Sequence, residues 1–319
     1  MTHKPIVTIT LNPALDFATD VAKMHDGEKL RCDRPSMFPG GGGVNVARAI
    51  WNLGGHVRAC VALGGPNGNA LELLLRAEGV DVLPVRIDVQ TRHSLSVREE
   101  TTNKLYRFML PGTEWTQMIE ANFLAEATKA VADADYCVLS GSMPPGTDAT
   151  TIRKLATICH NANCQLFVDT SGPTLRALTQ VERMGVDILR MDEEEAQAST
   201  DQHLETLQDF VSASKRMLDQ GAADVIVMGL GATGNLAVPR VGDTIFCPNP
   251  KVKMVSRVGA GDSFVGGMTL SLARGSTLAD ALRYGTAAAS VAVTKPGTEL
   301  CALEETDAMA ASLNVDVLQ

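Results

Sequence analysis

Short continuous apolar runs, separated by stretches of helical periodicity, constrain this chain more than any other feature. The runs lie at 6–10, 57–63, 136–139, 165–168, 186–189 and 225–228. Apolar runs of this length without polar alternation read as strands buried on both faces, as in parallel sheets. Between them apolar residues recur at helical spacing: Val46, Ile50 and Leu53, then Leu204, Leu207, Val211, Ser214 and Leu218. Parallel strands need crossover connections, and helices supply them with right-handed chirality. The expected fold is therefore α/β: a doubly wound, mostly parallel sheet sandwiched by helices.

Two segments break this rhythm. Residues 13–40 are mixed and carry Pro35 and Pro39. In 85–112, Leu95 and Val97 alternate with polar residues, Thr101-Thr102-Asn103 reads as a turn, and an apolar-rich stretch 105–110 follows. Together they are expected to form a small β-sheet lid over the sheet edge, with the whole of 1–319 as one domain. Ligands of an open parallel sheet bind beyond the carboxyl ends of its strands. The polar residues expected there are Asn12 and Asp16, residues 140–146, Asp169, residues 190–195 and residues 229–234.

Charge and composition exclude some classes. The net charge is −9, no basic tail occurs, and aromatics are only 4%. A nucleic-acid partner is not expected, since such surfaces are basic and stack bases on aromatics. Seven cysteines at 32, 60, 137, 159, 164, 247 and 301 form no Cys-x-x-Cys pair. They read as free thiols of a reducing, cytoplasmic compartment, not as a zinc site or a disulfide framework. No apolar run has the length of a membrane span, and Met1-Thr2-His3-Lys4-Pro5 runs into a strand-like segment without a signal-peptide pattern.

The strongest local motif is Gly259-Ala260-Gly261-Asp262-Ser263. It follows a strand-like 254–258 and opens an apolar helix with Phe264, Met268 and Leu272. Glycines at a helix start leave backbone N–H groups free to bind an anion, such as a transferring phosphoryl group. Asp262 beside them can take a proton from an attacking hydroxyl, or can merely complement the helix dipole. Gly40-Gly41-Gly42-Gly43 before a helix permits close backbone approach to a ligand. Asn45 just after it can hold sugar hydroxyls or cap the helix.

Two further patterns need weighing. Gly229-Leu230-Gly231-Ala232-Thr233-Gly234 fits the dinucleotide-binding spacing, but strand-like residues follow it where a helix is required. It reads as a hairpin turn, and a nicotinamide dehydrogenase is the weaker alternative. No P-loop sequence is present. The cluster Asp192-Glu193-Glu194-Glu195 reads either as dipole complementation at a helix start or as outer-shell support for Mg²⁺. The six histidines lack ligand spacing and read as structural or surface groups.

In order and spacing these motifs resemble the ribokinase-like (PfkB-type) carbohydrate kinases, essentially from end to end. Thr10-Leu11-Asn12-Pro13-Ala14-Leu15-Asp16 resembles the amino-terminal signature of the family's phosphosugar branch. Residues 40–48 resemble its first signature, Ser140-Gly141-Ser142-Met143-Pro144-Pro145-Gly146 follows in order, and 258–263 resembles the second. Other branches carry a lysine at the position of Gly42, which here is a glycine.

The resemblance implies a ribokinase-like fold and ATP-dependent phosphorylation of a sugar phosphate, with fructose-6-phosphate the expected acceptor. Tagatose-6-phosphate and fructose-1-phosphate are alternatives, as is a sensor that binds sugar phosphate without turnover. It implies Asp262 as base and the N–H groups of Gly259, Ala260 and Gly261 as an anion hole. Asp16, Gly40, Gly41 and Asn45 would hold the sugar. Lys29, Arg31, Arg92 and Ser142 would take its phosphate, which suits the bidentate geometry of arginine. Arg190, Gly229, Gly231 and Gly234 would lie along ATP. Asp192 and Glu195 would support Mg²⁺, with K⁺ a further cofactor. A homodimer through the lid follows, with Lys29 reaching the partner's site. Three positions depart from the family. Arg190 and Asp192 stand where lysine and asparagine are usual, and Arg257 where a threonine is usual.

Overall fold

All five residues of strand β1 (Ile6–Thr10) are buried, as a strand covered on both faces must be. The computed structural model describes residues 5–180 and 184–318. After β1 come β2 (Ala14–Val21), β3 (Ser36–Gly40), β4 (Val57–Leu63), β5 (Asp81–Arg86), β6 (Arg92–Glu99) and β7 (Lys104–Met109). The remaining strands are β8 (Tyr136–Ser140), β9 (Gln165–Asp169), β10 (Ile188–Asp192), β11 (Val225–Gly229), β12 (Gly234–Pro239), β13 (Thr244–Pro248) and β14 (Asp316–Leu318).

The large sheet runs β14-β13-β12-β11-β10-β9-β8-β1-β4-β5. Every neighbouring pair from β11 to β5 is parallel. The pairs β11–β12, β12–β13 and β13–β14 are antiparallel. Alternate residues of β1 enter opposite layers. Val7 and Ile9 pack with Phe123 and Ile152 on one face, and Ile6 packs with Ile50, Phe264 and Leu282 on the other. This is the expected doubly wound sandwich. Chain order reverses at β1, which lies between β4 and β8, so the ligand crevice belongs at its carboxyl end.

The segments that broke the rhythm form a separate sheet of order β3-β2-β6-β7. β2 and β6 are parallel, and the outer pairs are antiparallel. The β6–β7 turn contains Asn103 at φ 54°, a conformation that asparagine adopts more readily than most residues. Met37, Leu105, Phe108 and Met109 of this sheet are exposed.

Some boundaries differ from the sequence expectation. Residues 85–86 end β5, a parallel edge strand of the large sheet, and do not begin the hairpin. Asp81, Pro84 and Arg86 hide its pattern, and a proline is tolerated because the strand is an edge. Residues 254–258 are not a strand. Leu204 precedes the helix Leu207–Gln220, whose start is fixed by a Thr206–Asp209 capping box. All seven cysteines are free, and all but Cys32 are buried. Among the described residues no helix is long and apolar enough to cross a membrane.

Candidate active site

The helix Ala260–Ala273 begins at Gly259, whose φ of 79° lies in the left-handed region that favours glycine. No side chain caps this end; Ala260 N donates weakly to Arg257 O at 3.4 Å, and the N–H groups of Gly261 and Asp262 are left available to a ligand. Asp262 stands in the first turn and accepts a hydrogen bond from Asn45 Nδ2 at 3.0 Å. Burial pushes its carboxyl up from 3.8 to about 7, and nearby Asp169 adds to the rise. The bond from Asn45 and the charges of Arg190 and Arg48 act the other way. A carboxylate balanced near neutral pH is suited to accept a proton.

Asn45 does not cap its helix. Gly41 is the N-cap of Gly42–Asn52, and Asn45 lies one turn inside. Arg48 Nη1 donates to Asn45 Oδ1 at 3.3 Å, which turns the amide N–H toward Asp262. Arg48 is itself held by two bonds to Glu78, at 2.6 and 3.0 Å. The glycine run lets this helix start approach the end of β8. A Cβ on Gly42 would lie 2.6 Å from the Gly141 nitrogen and 2.7 Å from the Ser140 carbonyl carbon.

A second line of polar groups crosses the strand ends. Ser140 Oγ donates to Asp169 Oδ2 at 3.0 Å, and Arg190 Nη1 donates to Asp169 Oδ1 at 3.1 Å. The Arg190 guanidinium lies 3.4 Å from where a Cβ of Gly261 would stand and 3.2 Å from that of Gly229. A fixed cation thus sits beside the open helix start. Burial works against its charge, but Asp169, Glu195 and Asp192 together hold its pKa above the ordinary value.

The opposite wall belongs to the small sheet. Asp16 on β2 is paired in register with Ser94 on β6, whose hydroxyl donates to it. The Asp16 carboxyl also packs against Gly40, leaving no room for a side chain there. Arg92 is half-buried and held by backbone carbonyls: Asn12 O at 3.4 Å and Leu110 O at 3.3 Å. Burial lowers its pKa, and Asp16 opposes this. Asn12 Nδ2 donates to Ser142 Oγ at 3.2 Å. Lys29 and Arg31 are exposed and have no partner among the described residues.

On the remaining side, Gly229, Gly231 and Gly234 bound the turn between β11 and β12. Leu230 N donates to Gly234 O at 2.8 Å, and Asn249 Nδ2 to Gly231 O at 2.6 Å. An antiparallel strand follows, so the turn is a hairpin and not a dinucleotide fingerprint. Asp192 caps the helix Glu193–Thr200 and forms a capping box with Glu195, through bonds of 2.9 and 2.8 Å. Burial pushes Glu195 up to about 7, with Asp192 and Asp169 adding to the rise. Each carboxylate keeps one oxygen outside the box. The Arg257 side chain is exposed, with its Nε 3.5 Å from Met254 Sδ, while its backbone carbonyl accepts from Ala260 N at 3.4 Å.

The fold therefore brings Asp262, Asn45, Gly259 to Gly261, Arg190 and the 229–234 hairpin together. Asp16, Gly40, Arg92 and Ser142 line the lid side. Sequence reasoning gave no role to Ser94 or Arg48, and placed Asp169 at the ligand end of a strand without assigning it a partner. That partner, Arg190, is supplied by the neighbouring strand.

A family model described as "pfkB family carbohydrate kinase" matches residues 6–306. The chain is 38% identical over 296 residues to the ATP-dependent 6-phosphofructokinase isozyme 2 of Mycobacterium tuberculosis, covering 93% of this chain and 86% of that protein. It is 36% identical over 309 residues to the isozyme 2 of Escherichia coli, covering 97% and 99%. Solved structures of the Escherichia coli protein give TM-scores of 0.89 with potassium, 0.86 with fructose-6-phosphate and 0.88 for a tetrameric inhibited form. Each is 34% identical and covers 97% of this chain and 98% of its own. The 1-phosphofructokinase of Vibrio cholerae is more distant, 29% identical over 319 residues, covering 99% and 98%.

Proposed function

This chain belongs to the pfkB family of carbohydrate kinases, and we propose that it transfers the γ-phosphoryl group of ATP to the C1 hydroxyl of fructose-6-phosphate. The observation that carries this reading is Asp262 beside an uncapped helix start, with the Arg190 cation at its edge. The two relatives named 6-phosphofructokinase isozyme 2 support the choice of acceptor.

Asp262 accepts the proton of the C1 hydroxyl as the new P–O bond forms. The N–H groups of Gly259, Ala260 and Gly261 and the Arg190 guanidinium face the charge that develops on the phosphoryl oxygens. Asp16, Gly40, Gly41 and Asn45 orient the sugar. Arg92 and Ser142, with Lys29 and Arg31 brought in by closure of the small sheet, take its 6-phosphate. Closure also excludes water, which would otherwise accept the phosphoryl group.

Gly229, Gly231 and Gly234 flank the nucleotide. The free carboxylate oxygens of Asp192 and Glu195 are hard donors that suit Mg²⁺ held through water. When bound, Mg²⁺ supplies positive charge to the ATP phosphates. Potassium is a further proposed cation, as bound in a structure of the Escherichia coli relative. The exposed apolar residues of the small sheet fit a homodimer formed through the lid. Seven free thiols and an ATP donor fit the reducing cytoplasm.

The test is ADP release with Mg·ATP and fructose-6-phosphate, beside tagatose-6-phosphate, fructose-1-phosphate and ribose. Fast turnover confined to fructose-6-phosphate is expected. Preference for another sugar overturns the acceptor. Sugar-phosphate binding without ADP release overturns the kinase reading and favours a sensor.

A further inference from the structure

Glu99 is the one acidic or basic side chain among the described residues that is almost wholly removed from solvent, at 4% exposure. It lies in the thin small sheet and not in the core. Each of its oxygens takes two donors. Oε1 accepts from Met24 N and Thr101 Oγ1, both at 3.2 Å. Oε2 accepts from Thr102 Oγ1 at 2.6 Å and Tyr106 OH at 3.2 Å. These bonds, that of Thr102 first, hold the carboxyl below the usual range. Thr101, Thr102 and Tyr106 belong to the β6–β7 hairpin. Met24 belongs to the segment that leaves β2; backbone bonds from Glu100 N to Val21 O at 2.9 Å and Thr101 N to Ala22 O at 3.2 Å join the two up to Ala22, and the Glu99 carboxylate extends the tie to Met24.

The other end of that segment is fixed separately. Asp33 N donates to Asp20 O at 3.0 Å, and Thr19 Oγ1 donates to Asp33 O at 2.8 Å. Between the two clips, residues 25–32 form no hydrogen bond with any described residue. This arc carries Lys29 and Arg31, both exposed. A free arc between fixed ends is placed by its ends, and one end is Glu99.

We infer that Glu99 is a positioning residue that places the 25–32 arc, and through it Lys29 and Arg31, over the sugar phosphate. The inference rests on the reading given under Proposed function. Glu99 acts through the arc and touches neither reacting group.

The test is Glu99→Gln. The amide turns one acceptor into a donor facing two donors, while its shape is kept. Two readouts are taken. The first is limited trypsin cleavage after Lys29 and Arg31, followed by mass spectrometry, which needs no activity. The second is the KM for fructose-6-phosphate against kcat and the KM for ATP. Cleavage in the arc rises about tenfold, and cleavage elsewhere is unchanged. The KM for fructose-6-phosphate rises about tenfold, while kcat and the KM for ATP stay within about twofold. Thr102→Val removes one donor, keeps the charge and gives an intermediate effect; it carries the test if Glu99→Gln does not fold. Unchanged cleavage and unchanged KM in a folded variant overturn the inference. If the wild type does not phosphorylate fructose-6-phosphate, the Proposed function fails, and the cleavage readout alone decides whether Glu99 places the arc.

Discussion

Replacing Asp262 by Asn should slow turnover about 1000-fold and at the same time stabilise the protein. The reason is the cost of a buried charge. The Asp262 carboxyl is raised from 3.8 to about 7, a difference worth about 4 kcal/mol when fully ionised. The side chain keeps some solvent contact, so about 2 kcal/mol is a fair expectation. An asparagine has nearly the same shape, and its Oδ1 can still accept the bond from Asn45. The sign follows from the raised pKa. The folded state holds a proton that the unfolded chain gives up, so the penalty grows as pH rises from 3.8 and is complete above about 7. Guanidinium unfolding at pH 8, 6 and 4.5 should therefore show Asp262→Asn more stable by about 2 kcal/mol at pH 8, with the gain shrinking toward pH 4.5. A variant no more stable than wild type at pH 8, or a gain equal at all three values, refutes the reasoning.

Arg190→Met removes the cation beside the anion hole and leaves Asp169 unpaired near Asp262. Steady-state kinetics should show kcat down about 100-fold and the acid limb of the pH profile moved above about 7. Arg92→Met should raise the KM for the sugar phosphate about tenfold or more without changing that for ATP, as measured by ADP release. Gly42→Ala puts a Cβ 2.6 Å from the Gly141 nitrogen and should cost about 1–3 kcal/mol in guanidinium unfolding.

The strands most legible in the sequence were those buried on both faces. β1 and β4 have their expected bounds because continuous apolar runs admit few alternatives. β5 was hidden because an edge strand tolerates Asp81, Pro84 and Arg86, which break the pattern. The glycines of the site were visible because only backbone constraints explain them. Gly42 meets the end of β8, and Gly259 has a positive φ. What the sequence left open was pairing. Asn45 reads equally well as a cap or a ligand until Asp262, remote in the chain, is placed against it. The Asp169–Arg190 pair exists only because β9 and β10 are neighbours in register. The acidic run 192–195 reads from sequence as dipole complementation or Mg²⁺ support, and the capping box between Asp192 and Glu195 is seen only in the structure. Lys29 and Arg31 are exposed and have no partner among the described residues, and the segment that carries them is held only at its ends.

The central claim is that Asp262 activates the C1 hydroxyl of fructose-6-phosphate. Single-turnover reaction with Mg·ATP, read by phosphorus NMR, combined with calorimetric binding of fructose-6-phosphate, tests it most directly. Wild-type protein should form a new phosphate ester on C1. Asp262→Asn should form it about 1000-fold more slowly while binding the sugar phosphate within about twofold of wild type. A variant that phosphorylates C1 within about tenfold of the wild-type rate, or a wild type that leaves C1 unphosphorylated, contradicts the account.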